Sequence, residues 1–176
     1  MNRWKSAALL VLMVSSHGYA TELLGYVGGG AQPSSEQVNR LAGVDAIWYD
    51  WQRSPVQRLS FGSSVSYLST DARSGNKDLI ALSVFPELKL FTRILEQDIF
   101  LQVRALGPTW LSEHHLGDRE QAMHFAFLAQ IGGGWYLSKN RDSYLTVFYR
   151  HYSNANLKQP NDGLDVVFNV GFGYQF

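Results

Sequence analysis

The chain has 176 residues, no cysteine, and 15 acidic and 15 basic residues, so its formal net charge is zero. The lack of cysteine excludes disulfide bonds and thiol chemistry, and the balanced charge gives no indication of a nucleic-acid partner. No segment of the mature chain has the run of about 18 apolar residues that a transmembrane helix needs.

The N-terminal segment has the pattern of a secretory signal peptide, residues 1–20. A positive start at Arg3 and Lys5 precedes a short apolar run, residues 7–14, and small residues end the segment. The apolar run is too short to cross a bilayer as a helix. We therefore expect an exported chain, residues 21–176, whose length suits one domain.

The exported part consists of short segments in which apolar and polar residues alternate. Because side chains alternate between the two faces of a strand, each such segment has one apolar face and one small or polar face. The last segment is the clearest, since aromatic and branched residues fill one parity up to Phe176. The predicted strands are residues 23–31, 41–51, 58–68, 79–91, 98–108, 123–137, 143–153 and 166–176.

The connections between these strands alternate in length. Long polar connections cover residues 32–40, 69–78, 109–121 and 154–164, short turns cover 52–55 and 138–142, and 92–97 is intermediate. Bacterial outer-membrane barrels have short periplasmic turns and longer external loops. Together with the export signal and the frequent aromatic residues, this alternation predicts an all-β fold, an eight-stranded antiparallel transmembrane β-barrel.

Charged residues within the strands predict a polar network inside the barrel. A barrel of this size is filled by side chains and is not an open pore. We expect Asp45, Glu87, Lys89 and Arg104 to point inward and to pair with one another. Such pairing holds the strands together and is favoured over a transport role.

The seventh predicted strand carries a histidine and a serine on one face. Its outward parity runs through Leu145, Val147 and Tyr149 to His151 and Ser153. Residues two apart on a strand lie about 7 Å apart on the same face, which lets an imidazole reach a hydroxyl. A serine becomes a nucleophile beside such a base, and an acid orients the base. On spacing alone, contacts with lipid headgroups and water explain the pair better than catalysis does.

The residues around this pair resemble a known signature. Residues 150–163 read Arg-His-Tyr-Ser-Asn-Ala-Asn-Leu-Lys-Gln-Pro-Asn-Asp-Gly, which is similar to the motif of the PagL-type lipid A 3-O-deacylases on the last hairpin of an exported barrel. The resemblance implies a Ser–His–acid triad on the outer surface, with Ser153 as nucleophile and His151 as general base. The acid of that family, usually glutamate, falls on Asp165, and Asp162 is the alternative.

Two positions of this motif need special geometry. Asp165 has the parity opposite to the outward stripe of the last strand, so it has to precede regular pairing or lie at a β-bulge. Asn154 matches the family's asparagine after the nucleophile, and its amide is suited to donate to a developing oxyanion. It also suits a turn that ends the strand, and the two roles are compatible.

The resemblance implies an outer-membrane esterase that removes the 3-O-linked acyl chain from lipid A of lipopolysaccharide, with its site at the outer leaflet and with no cofactor or metal. Lipid A and membrane lipid are the expected partners, and the sequence leaves a homodimer open. Two other functions share the predicted fold. One is a non-catalytic structural or adhesion barrel, and the other is an acyltransferase that moves the chain to an acceptor other than water.

Overall fold

The structure, a computed structural model, describes residues 20–176. Valine, isoleucine and aromatic residues fill one face of most segments, and such residues favour extended backbone on a half-buried surface. The described residues form the strands β1 (Glu22–Ala31), β2 (Val38–Ser54), β3 (Gln57–Thr70), β4 (Asp78–Ile94), β5 (Gln97–Leu111), β6 (His115–Leu116), β7 (Arg119–Glu120), β8 (Phe125–Tyr136), β9 (Ser143–Ser153) and β10 (Leu164–Gln175).

Eight of these strands close into one antiparallel barrel in the order β1-β10-β9-β8-β5-β4-β3-β2. β1 pairs with both β2 and β10, so each barrel strand has two neighbours and the backbone groups are satisfied internally. The short strands β6 and β7 form a separate hairpin in the connection between β5 and β8. The predicted eight-stranded antiparallel barrel is therefore confirmed.

The outward surface of the barrel is apolar and is bounded by aromatic residues. In β4, for example, every second side chain from Leu79 to Phe91 is buried, and those between them are exposed or, at Leu88, half-buried. The exposed apolar side chains include Val27, Val44, Phe61, Val65, Ile80, Leu82, Leu101, Ile131, Val170 and Phe172. Exposed aromatic residues lie toward the short turns (Trp48, Tyr49, Trp51, Trp135, Tyr174 and Phe176) and toward the long loops (Tyr67, Trp110, Phe125 and Phe168). An apolar band between two aromatic belts is the surface of a barrel that crosses a bilayer.

The barrel interior holds a connected set of buried ion pairs. All four charged residues predicted there are buried and paired, which confirms the predicted network. The contacts are Glu22 with Arg58 at 2.7 Å and Lys89 at 2.5 Å, Glu87 with Arg104 at 2.7 Å and Lys89 at 3.4 Å, and Asp45 with Arg104 and, at 3.0 Å, Arg150. Each acid contacts two bases, so the pairs tie distant strands to one another across the barrel.

Several boundaries differ from the predicted ones. β2 continues to Ser54 through the predicted turn, and β4 and β5 meet in a tight turn at Leu95 and Glu96, both with positive φ. The predicted loop 109–121 instead contains the end of β5 and the β6–β7 hairpin. The predicted signal peptide lies outside the described residues except for Ala20. In the described part of the chain, no helix is long and apolar enough to cross a membrane.

Candidate active site

The C-terminal half of β9 presents alternate residues to the barrel interior and to the outer surface. Arg150 and Tyr152 point inward and are fully buried. His151 and Ser153 point outward and are partly exposed, with 30% of the His151 side chain accessible. The strand ends at the side of the barrel where the long loops lie, so the pair occupies the outer rim of the apolar surface.

A β-bulge brings Asp165 to the same outer face. Asp165 pairs directly across from His151, but the register shifts between Val166 and Asn169, where β10 has one residue more than β9. The extra residue reverses the parity of the strand, as a bulge requires. The buried Asn169 side chain holds the bulge by donating to the Val166 carbonyl at 2.9 Å and the Phe148 carbonyl at 3.0 Å. Of the two arrangements predicted for Asp165, the structure has the bulge. Val166 points inward, so its predicted place on the apolar outer stripe is wrong.

The Asp165 carboxylate contacts the His151 imidazole. The distance between His151 Nδ1 and Asp165 Oδ1 is 2.7 Å. A carboxylate accepts but does not donate, so this contact places hydrogen on Nδ1 and leaves the Nε2 lone pair free. Tyr149, two residues before His151 on the same face, donates a hydrogen bond from its hydroxyl to Asp165 Oδ1. The Tyr149 ring stacks on the His151 imidazole, with 6.4 Å between the ring centroids. His151 is therefore fixed in orientation and tautomer.

Gly163 gives the imidazole room on its other side. Its φ is +71°, a conformation that favours glycine, and an added Cβ would lie 2.8 Å from His151 Cε1. The glycine of the sequence motif therefore has two physical reasons to be there. The loop backbone turns in the left-handed region and packs directly against the ring.

Ser153 lies two residues beyond His151 on the same face of β9. Regular strand geometry separates their Cα atoms by about 7 Å. Among the described residues, no hydrogen bond joins the Ser153 hydroxyl to His151. On the neighbouring strand β8, Ser153 pairs with Phe127 and His151 pairs with Ala129, so the surface beside the pair is apolar.

The alternative acid and the predicted oxyanion donor have other partners. The Asp162 N–H donates to the Glu120 carbonyl at 3.0 Å, and the Glu120 N–H donates to the Asp162 carboxylate at 2.8 Å. These two hydrogen bonds attach the loop to β7. Asn154 is fully buried, and its amide donates to the carbonyls of Lys158 at 2.7 Å and Pro160 at 3.4 Å. This geometry corresponds to the turn role of Asn154, and its oxyanion role stays a prediction.

Gln32, just after β1, and Asn39, at the start of β2, complete the surroundings of Asp165, and sequence reasoning missed them. Gln32 donates from Nε2 to Asp165 Oδ2 at 2.7 Å, and its Oε1 accepts from the Asp165 backbone N–H at 2.9 Å. Asn39 donates to the Asp165 carbonyl at 2.9 Å. Gln32 precedes Asp165 by 133 positions, and no spacing or motif in the sequence connects them. Within the described residues, no three His, Cys, Asp or Glu side chains are grouped so that they could hold a metal ion.

Comparison with known proteins gives three findings. A family model described as "Lipid A 3-O-deacylase (PagL)" matches residues 40–175. The lipid A deacylase PagL of Bordetella bronchiseptica (strain ATCC BAA-588 / NCTC 13252 / RB50) is 35% identical over 71 residues, which cover 40% of this chain and 38% of that relative. A solved structure described as the crystal structure of the outer membrane enzyme PagL superposes with a TM-score of 0.66 at 22% identity, covering 88% of this chain and 99% of the other, and so shares the fold.

Proposed function

We propose, since this chain belongs to the lipid A 3-O-deacylase (PagL) family, that it is an outer-membrane esterase that removes the 3-O-linked acyl chain of lipid A. Ser153, His151 and Asp165 act as nucleophile, general base and orienting acid. One observation carries the proposal. The Asp165 carboxylate lies 2.7 Å from His151 Nδ1 on the outer face of the barrel, and Ser153 is two residues along that face.

In the first half of the reaction, the Ser153 hydroxyl attacks the ester carbonyl carbon. His151 Nε2 takes the hydroxyl proton as the new C–O bond forms, and the carbonyl electrons move to the oxygen. Asp165 holds Nδ1–H and stabilises the imidazolium that results. When the tetrahedral intermediate collapses, the bond to the sugar oxygen breaks, and that oxygen takes the proton from His151. The acyl group remains on Ser153.

In the second half, water replaces the sugar. His151 Nε2 takes a proton from the water as it attacks the acyl-enzyme, and then returns a proton to the Ser153 oxygen as the fatty acid leaves. The charges and protons balance with these three side chains and water alone. The Asn154 amide can donate to the oxyanion only after it releases the Lys158 or the Pro160 carbonyl. Stabilisation of the oxyanion by Asn154 is therefore a prediction separate from that of the triad.

The position of the site suits a substrate that stays in the membrane. The long loops mark the external side of the barrel, and His151 and Ser153 lie at the rim of the apolar surface there. Lipid A of the outer leaflet presents its sugar at that height and its acyl chains below it. Phe127 and Ala129, beside Ser153 and His151 on β8, offer the chain an apolar contact.

The proposal is tested by incubating purified, folded protein with lipopolysaccharide and analysing both products by mass spectrometry. We expect lipid A that is lighter by one acyl chain, together with an equal amount of free fatty acid. Ser153→Ala is the catalytic control, and Ser143→Ala is its match, since Ser143 begins the same strand on the same face. Transfer of the chain to another lipid would indicate an acyltransferase, and unchanged lipid A would indicate a non-catalytic barrel.

A further inference from the structure

The first long loop and the bulge of β10 meet over the Asp165 carboxylate. Gln32, the residue that follows β1, is 1% exposed, and Asn39, at the start of β2, is fully buried. Both side chains are directed at Asp165. Buried amides carry a cost unless they are hydrogen-bonded, and here the bonds go to the residue that contacts His151.

Gln32 holds both the backbone and the side chain of Asp165. Its Oε1 accepts from the Asp165 N–H at 2.9 Å, and its Nε2 donates to Oδ2 at 2.7 Å. The other carboxylate oxygen, Oδ1, receives His151 and Tyr149. Because both carboxylate oxygens are hydrogen-bonded, rotation of the carboxylate would break hydrogen bonds at Oδ1 and at Oδ2. The imidazole therefore meets a carboxylate of fixed direction.

The orientation of the Gln32 amide is set by a chain of further amides. Asn39 Nδ2 donates to Gln32 Oε1 at 2.6 Å, so the Gln32 nitrogen has to face Asp165. Gln37 Nε2 donates to Asn39 Oδ1 at 2.8 Å, and the Asp118 N–H donates to Gln37 Oε1 at 3.0 Å. Each amide oxygen in this series of hydrogen bonds thus accepts from a donor that fixes the orientation of its amide. A reversed amide at any point would place two donors or two acceptors together.

A neutral hydrogen-bond partner for Asp165 suits the proposed chemistry better than a cationic one would. The arginine and lysine partners of the interior acids neutralise the charges of those acids. An amide donates a hydrogen bond and brings no net charge, so the negative charge of Asp165 remains available to the imidazolium that forms during turnover. Aspartate is one methylene shorter than the glutamate expected at this position, so its reach depends more on where its backbone is held.

We propose that Gln32 is a positioning residue of the triad, braced by Asn39, which places the shorter carboxylate of Asp165 against His151. The inference rests on the proposed function of that site. It assigns a role in turnover to a loop residue that touches neither the substrate nor the reacting atoms.

The test compares four variants of the full, folded chain: Gln32→Met, Asp165→Glu, the two combined, and Gln102→Met as the matched control. Methionine has nearly the length of glutamine but forms no such hydrogen bonds. Gln102 is equally buried, inside the barrel, and contacts Thr146 and none of the triad residues. We expect Gln32→Met to lower kcat about 10- to 100-fold, as a displaced catalytic group does, with little change in KM. Gln102→Met should retain the activity of the unmodified protein.

Rescue separates positioning from a structural role. The longer side chain of Asp165→Glu reaches His151 with less help from the loop, so adding it to Gln32→Met should restore most of the lost kcat. Full activity of Gln32→Met, or a loss that Asp165→Glu does not recover, would overturn the inference. If Gln32→Met does not fold, Gln32→Asn replaces it, since it keeps an uncharged amide but is one methylene too short to reach both the Asp165 N–H and Oδ2. It should show the same loss of kcat, and full activity in that variant would also overturn the inference.

A readout without substrate keeps this inference distinct from the proposed function. In ¹⁵N-histidine-labelled protein, the Nδ1–H resonance of His151, identified by its absence in His151→Ala, should be shifted downfield by the Asp165 contact. It should weaken or move upfield in Gln32→Met and remain unchanged in Gln102→Met. An unchanged resonance in Gln32→Met would overturn the positioning role. If the resonance changes in Gln32→Met but the unmodified protein releases no fatty acid, the positioning role of Gln32 stands and the esterase proposal is rejected.

Discussion

Asp45 inside the barrel and Asp165 on its outer face are both aspartates held by several hydrogen bonds, yet their partners differ in charge. Asp45 contacts Arg104 and Arg150, and all three are buried. Asp165 contacts one amide, one hydroxyl and one imidazole. Cationic partners neutralise a carboxylate and make it part of the scaffold, whereas neutral partners fix its direction and keep its charge for an imidazolium. We therefore expect inner substitutions to change stability and outer ones to change turnover.

The largest effect is expected at the nucleophile and the base. Ser153→Ala and His151→Ala should each reduce acyl release about 10³-fold or more, because members of a triad act as a unit. Both side chains point outward, so the barrel should still fold and migrate as a heat-modifiable band on a gel. Activity near that of the unmodified protein in either folded variant would remove the residue from the triad. His124→Ala, at an exposed histidine just before β8 and away from Asp165, is the control for His151.

The next effect is expected at the acid. Asp165→Asn keeps the size of the side chain but loses its charge and favours the wrong imidazole tautomer, so we expect a fall in kcat of about 10²-fold or more. Asp162→Asn should have little effect, because Asp162 binds the Glu120 backbone. Asp165→Glu should retain activity. Steady-state rates on folded protein measure all three, and the reverse order of the two asparagine variants would make Asp162 the acid.

A smaller effect is expected where the loop packs against the imidazole. Gly163→Ala places a methyl group 2.8 Å from His151 Cε1 and strains a residue with φ +71°. We expect kcat to fall about tenfold, as for a modest displacement of the base. Gly25→Ala is the matched control, since an added Cβ there meets nothing within 4 Å. Equal activities of the two variants would show that the ring tolerates the displacement.

The smallest effect on turnover is expected inside the barrel. Asp45→Asn leaves two buried arginines without their shared carboxylate and should lower the free energy of unfolding by about 3–5 kcal/mol. Urea unfolding in detergent micelles measures this change. The folded fraction should hydrolyse lipid A at the rate of the unmodified protein. A loss of turnover in folded Asp45→Asn would show that the interior and the outer site are coupled.

The predictable features were those with a fixed period. Strand alternation located all eight barrel strands and the inward direction of Glu87 and Lys89, because a strand repeats every two residues. Parity also predicted that Asp165 either precedes regular pairing or lies at a bulge, and β10 has its extra residue between Val166 and Asn169, just after Asp165. The same reasoning could not place Val166 inward without knowing where the bulge begins.

The features that could not be predicted depend on how loops pack. The β6–β7 hairpin has two-residue strands, which are too short to show a period. Gln32 meets Asp165 because barrel closure brings β1 beside β10, and an isolated glutamine in a polar loop carries no sign of that contact. The buried amide of Asn154 likewise depends on the path of the following loop, to which it donates two hydrogen bonds.

Covalent labelling of the nucleophile tests the central claim most directly. A fluorophosphonate probe, applied to outer-membrane fractions and followed by peptide mass spectrometry, reports which serine is activated by an adjacent base. We predict a single modified serine, Ser153, in the unmodified protein and in Gln102→Met, and no modification in His151→Ala. Labelling of another serine, or labelling of Ser153 that persists in His151→Ala, would contradict a triad on the outer face of this barrel.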